Sequence, residues 1–146
     1  MRPEDAVQVP PNCDLTLGLT CLDKSVPGRT TWQMHVDERF SNPAGLLQGG
    51  FLAALCDSAM GASAVTFALQ SGSERVSCAN AEMKVSFFCP VVVGADLTCA
   101  AEVVSGGKRL AFCEAEVHDG AARLVARASS TYVVSKRERR PLAAGC

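Results

Sequence analysis

Histidine is scarce in this 146-residue chain. His35 and His118 are the only two, and neither stands at metal-ligand spacing to a cysteine or a carboxylate, so no metal centre is expected. A C-x-x-C pair is missing as well. The eight cysteines, Cys13, Cys21, Cys56, Cys78, Cys89, Cys99, Cys113 and Cys146, lie mostly inside apolar stretches and read as reduced core thiols. Charge imbalance is also absent: the net charge is −1 and the pI about 6.1, which offers no bulk attraction to nucleic acid or to an anionic membrane. An anionic ligand therefore has to be held by local groups. The opening MRPEDAVQVPPNCDL carries three acids and three prolines before any apolar run, unlike a secretory signal or a transit peptide, and the default expectation is a cytoplasmic protein.

What is present fits one domain with a substantial core, since 48% of the residues are hydrophobic. Residues 1–12 read as a flexible, proline-rich lead-in, 13–135 as the single domain and 136–146 as a flexible basic tail. LTLGLTCLD and TTWQMHVDE, separated by a Pro27-Gly28 turn signal, predict a β-hairpin. One long helix follows, beginning near Gln48-Gly49-Gly50 and ending near Gln70-Ser71-Gly72. Four alternating runs come next: VSCANAEMKVSFFCP, DLTCAAEVVS, RLAFCEAEVHD and ARLVARASSTYVVS. The last three are separated by Ser105-Gly106-Gly107 and Asp119-Gly120, which is hairpin chemistry, and all four are expected to form a meander. The fold class is α+β, an antiparallel sheet of about six strands around one helix. Because that helix is nearly apolar all round, the sheet should wrap it, and the sheet's other face should meet a second copy.

The helix raises the functional question. From Phe40 to Ser73 the single charged side chain is Asp57. A bilayer span over Gly49 to Leu69 is disfavoured, because Asp57 near its centre costs roughly 2.5–3.5 kcal/mol on insertion scales and Gly, Ala and Ser dilute the hydrophobicity. The first turn, with Gly49 and Gly50, offers unpaired N–H groups and the positive end of the helix dipole, a ready oxyanion site. Asp57 lies about 12 Å further along at ~1.5 Å per residue. The two groups therefore meet at one carbonyl only across a dimer with antiparallel helices. The helical neighbours of Asp57 (Gly50, Ala53, Ala54, Met60, Gly61 and Ala64) are nearly all small and leave space for packed chain or for substrate. A carboxylate there is either a general base or nucleophile, or a structural group satisfied by Ser58 or a strand. Cys56 is turned about 100° away from it on the helix and reads as core packing.

N-P-A-G-L-L-Q-G-G-F-L-A-A-L-C-D-S-A-M-G resembles the signature of hotdog-fold acyl-CoA thioesterases of the phenylacetic-acid-degradation type. That family has an Asn, a His-Gly-Gly and an Asp or Glu at this spacing. A-E-M-K-V-S-F-F-C-P-V-V-V-G-A-D-L resembles the family's following strand, and the likeness extends over about Leu15 to Val134. It implies a hotdog fold and hydrolysis of an acyl-CoA, with no cofactor, in a homodimer or homotetramer. It further implies that the Gly49 N–H, next to Gly50, polarises the thioester carbonyl, and that Asp57 of the partner copy acts as base or nucleophile. Asn42 would then position the carbonyl or water, and Asn80 would assist near the carboxylate where the family often has Ser or Thr. Gln48 stands where the family has histidine, so that position is limited to hydrogen bonding. Arg75, Lys84, Lys108, Arg109 and the tail residues Lys136, Arg137, Arg139 and Arg140 are candidates for the coenzyme A phosphates. The alternatives are a non-catalytic acyl-thioester binding module and a hotdog hydratase or dehydratase. The latter uses a histidine with its acid, and the start of this helix has none.

Overall fold

A computed structural model describes residues 9–72 and 75–136. The elements run α1 (Asn12–Leu17), β1 (Thr20–Asp23), β2 (Arg29–His35), α2 (Gly49–Leu69), β3 (Val76–Phe87), β4 (Asp96–Gly106), β5 (Leu110–His118) and β6 (Leu124–Lys136). The six strands form one antiparallel sheet in the order β1-β2-β4-β5-β6-β3. Helix α2 lies across it and touches β2, β3, β4, β5 and β6. This is the expected hotdog arrangement.

Two expectations are corrected. Leu15–Leu17 belongs to α1 rather than to the first strand: Pro11 precedes the helix, Asp14 sits in its first turn, and Gly18 closes it in the left-handed conformation at φ 66°. The four later strands are not a meander either. Strands β4, β5 and β6 are joined by hairpins, but β3 pairs with β6 at the far edge. The segment 88–95 then carries the chain back to β4 beside β2, held by the Val36 N–H to the Ala95 carbonyl (2.8 Å) and the Gly94 N–H to the Val36 carbonyl (2.8 Å). Residues 1–8 of the lead-in and 137–146 of the tail lie outside the described residues.

The inward sheet face is built of small side chains: Cys99 and Ala101 on β4, Ala111, Cys113 and Ala115 on β5, Ala126 and Ala128 on β6. Together with Ala59 and Ala64 of α2 they let helix and sheet approach closely around Met34, Leu55, Met60, Leu97 and Val117. The core-thiol expectation holds for Cys56, Cys99 and Cys113, while Cys13 is exposed and Cys21, Cys78 and Cys89 are half-buried. Replacing Leu55, 0% exposed, by Ala is expected to destabilise the fold by about 2–5 kcal/mol, read as a lower urea midpoint at unchanged slope.

The outer sheet face mixes polar and apolar side chains. Strand register lines up Arg29, Glu102, Glu114, Ser129 and Lys84 in one row across it. Leu110, Phe112 and Val133 give it an apolar end.

Candidate active site

The loop before α2 is organised by Asn42. Its side-chain oxygen accepts from the N–H groups of Ala44 (2.9 Å) and Leu46 (3.1 Å), an Asx-type turn completed by Gly45 at φ 74°. Among the described residues no hydrogen bond uses the Nδ2 hydrogens of Asn42. The loop is tied to the crossing segment by the Leu47 N–H to the Val91 carbonyl (2.8 Å). Gln48 is the N-cap, extended at φ −66° and ψ 136°, yet its side chain makes no capping bond.

Two clefts flank the helix start. Asn42, Leu46, Leu47, Gly49, Leu52 and residues 87–91 line one of about 380 Å³. Gln48 and Gly50 lie in another, of about 470 Å³, with Thr16, Leu17, Phe51 and Ala54. The fold therefore brings Asn42 together with Gly49 and sets Gln48 with Gly50 on a separate side. Among the described residues no hydrogen bond uses the Gly49 N–H, as expected for the first residue of a helix. A Cβ at Gly49 would stand 3.0 Å from Phe87 Cζ, so glycine lets the phenyl ring lie directly on the helix start.

Asp57 lies two turns on, half-buried. Its Oδ1 accepts from Asn80 Nδ2 on β3 (2.9 Å) and from the Tyr132 hydroxyl on β6 (2.6 Å). Asn80 and Tyr132 are direct partners in the β3–β6 ladder, so both point inward at the helix. A bulge after Asn80 adds one residue, which pairs Glu82 with Thr131 and keeps the Glu82 carboxylate outside, bonded to the Thr131 hydroxyl. The Ser130 hydroxyl lies 2.8 Å from Asn80 Oδ1 and can orient that amide. Ser58 does not serve Asp57; it donates to the buried Asp14 of α1 (2.7 Å). Burial first, and then the bond to Asp57 and its negative charge, hold the Tyr132 phenol far above its ordinary pKa. Tyr132 thus remains a donor at any working pH.

Tyr132 and Ser130 were not singled out from the sequence. The signal was available: Tyr132 is the chain's one tyrosine, on the same alternation as Ser130 in SSTYVVS. The small stripe beside Asp57 is used partly by its ring, since a Cβ at Gly61 would touch Tyr132 Cε1 at 3.6 Å. Neighbouring thiols are poor nucleophiles: burial pushes Cys113 up to about 12, and the bond that Cys99 makes to Cys56, followed by burial, raises Cys99 as well. Among the described residues no group of three or more His, Cys, Asp or Glu is arranged to hold a metal ion.

A helix N-terminus with a free N–H, and a carboxylate held on the same helix, make an acyl-transfer site once both face one carbonyl. The family model of the Thioesterase superfamily matches residues 44–126, which include Gly49, Asp57 and Asn80. The chain belongs to this thioesterase superfamily. It is 29% identical over 121 residues to acyl-coenzyme A thioesterase 13 of Homo sapiens, covering 82% of this chain and 83% of that protein. A mutant of the phenylacetic acid degradation protein PaaI from Thermus thermophilus is 28% identical at a TM-score of 0.72, covering 82% of this chain and 96% of that one. A hypothetical thioesterase protein of Streptococcus pneumoniae, solved with coenzyme A, has the same fold at a TM-score of 0.72 and 18% identity, over 82% of this chain and 87% of that one. The protein is a PaaI-like hotdog thioesterase, a thioester hydrolase by family.

Proposed function

We propose that this thioesterase hydrolyses an acyl-CoA to the free acid and coenzyme A at two equivalent sites between two copies of the chain. Each site takes Gly49 and Asn42 from one copy and Asp57 from the other. The observation that carries the reading is the Asp57 carboxylate, the one charge of the central helix, fixed by two donors beside a helix whose first N–H is free. Two further features support the pairing of copies. Gly49 and Asp57 of one chain are about 12 Å apart along the helix, and the long edge strand β3 pairs with β6 alone among the described strands. A second copy added antiparallel at β3 extends the sheet and brings the two helices side by side. The dimers pair again into tetramers.

In the reaction Asp57 takes a proton from water as the water oxygen bonds to the thioester carbonyl carbon. The carbonyl π electrons move onto its oxygen, where the Gly49 N–H stabilises the charge. Collapse reforms the carbonyl and breaks the carbon–sulfur bond, and the departing thiolate receives the proton from Asp57. Asn42 Nδ2 orients the carbonyl or the water, and Asn80 fixes the carboxylate. Gln48, exposed and not engaged in capping, serves by hydrogen bonding beside Gly50, in the cleft on the other side of the helix start. The cleft wall of Leu46, Leu52, Phe87, Phe88 and Pro90 suits an aromatic or a medium to long acyl group.

The test is thiol release from a panel of aromatic and straight-chain acyl-CoAs by purified protein. Hydrolysis of at least one group is the expected result. Binding of acyl-CoAs without free coenzyme A would instead identify a binding module, and hydration of an enoyl-CoA would identify the hydratase alternative.

A further inference from the structure

The two oxygens of Asp57 are not equivalent. Among the described residues every hydrogen bond to this carboxylate falls on Oδ1, from Asn80 Nδ2 at 2.9 Å and from the Tyr132 hydroxyl at 2.6 Å. The hydroxyl also lies 3.0 Å from the Asp57 backbone carbonyl, but its single proton goes to the nearer, charged oxygen, since charge-assisted bonds are the shorter and stronger ones. Tyr132 is 2% exposed, with its ring over Gly61, so the hydroxyl has little freedom to leave.

We infer that Tyr132 is the positioning residue of the site: with Asn80 it pins Oδ1, stops rotation of the carboxylate, and leaves Oδ2 as the oxygen that takes the proton from water. This rests on the hydrolase reading above. The reason is geometric, since an Oδ1 that already accepts two strong donors is a weaker base than its partner, while a carboxylate held at one end presents the other at a fixed direction. Among the described residues the surroundings leave Tyr132 as the titratable group hydrogen-bonded to Asp57. On β5 the Cys113 thiol is neutral and turned to the Met60 carbonyl (3.7 Å). On β3 burial raises Cys78, Glu82 faces outward to Thr131, and Asn80 and Met83 are uncharged. On α1 the Asp14 carboxylate is taken up by Ser58.

In Tyr132→Phe the kcat falls about tenfold, the scale of one hydrogen bond to a charged group, and KM stays within about twofold, because the loss is in orientation and not in binding. The Asp57 carboxylate stretches, picked out in the infrared difference spectrum against Asp57→Asn, report the bonds to Oδ1 independently of turnover and shift when a donor is removed. Asn80→Ala, on the edge strand, removes the other donor and serves as a second variant should Tyr132→Phe fold poorly. Shifted bands with a loss confined to kcat support the assignment. Shifted bands with an unchanged kcat overturn the positioning role, and shifted bands with no acyl-CoA hydrolysis by the unaltered protein support the pinning and overturn the hydrolase reading. Unchanged bands in both variants overturn the pinning whatever the activity.

Discussion

Asp57→Asn is expected to lower kcat for acyl-CoA hydrolysis by about 10²–10⁴-fold, the range of a lost general base, with little change in the fold. The near-isosteric amide cannot take a proton from water, yet its oxygen still accepts from Asn80 Nδ2 and from the Tyr132 hydroxyl. What stability is lost is the difference between charged and neutral hydrogen bonds, about 1–2 kcal/mol. The Tyr132 hydroxyl also retains the Asp57 backbone carbonyl at 3.0 Å as an acceptor, so no buried donor is stranded. Thiol-release kinetics beside a thermal melt check both halves. Turnover within about threefold of the unaltered protein, with the melt unchanged, would remove Asp57 from the chemistry and with it the oxyanion pairing; a collapsed melt would mark it as a structural charge.

How much of this was legible beforehand depended on how local the physics is. The helix bounds were readable because Gly49-Gly50 and Gln70-Ser71-Gly72 carry their meaning within one turn, and the hairpins because the Ser105-Gly106-Gly107 and Asp119-Gly120 turns do too. The unpaired Gly49 N–H at the helix start followed from the same rule. Helix α1 was missed although Pro11, Asp14 and Gly18 mark its ends, because LTLGLTC also satisfies an alternating pattern, and propensity does not separate a one-turn helix from a short strand. The place of β3 was not readable at all. Its alternation says that one face is buried, but nothing within the strand says whether β4 or β6 lies beside it; packing around α2 decides that. Tyr132 escaped for a related reason: its partner Asp57 lies 75 residues away, and a lone strand tyrosine reads as core until that ladder is known.

Mixing two inactive variants is expected to restore activity. Gly49→Pro removes the N–H proposed to hold the oxyanion and keeps the helix, because proline suits the first helical position and Gln48 before it is already extended at ψ 136°. The added ring carbons meet Phe87, whose side chain is exposed enough to swing aside. Alone, this variant should lose about 10²–10³-fold in kcat, the cost of one oxyanion donor. Asp57→Asn is inactive for the other half of the site. In a dimer of one Gly49→Pro chain and one Asp57→Asn chain, one site carries both defects and the other carries neither, since it takes its N–H from the second chain and its carboxylate from the first. Random exchange at equal amounts makes half the dimers mixed, so activity should return to about a quarter of that of the unaltered protein. Refolding the two together from denaturant, against each refolded alone, provides the measurement. A mixture that exchanges subunits, as followed by a mass tag, yet stays as inactive as its parts would mean that Gly49 and Asp57 do not serve one carbonyl across copies. The ~12 Å between them on a single helix would then require another group to supply the oxyanion contact.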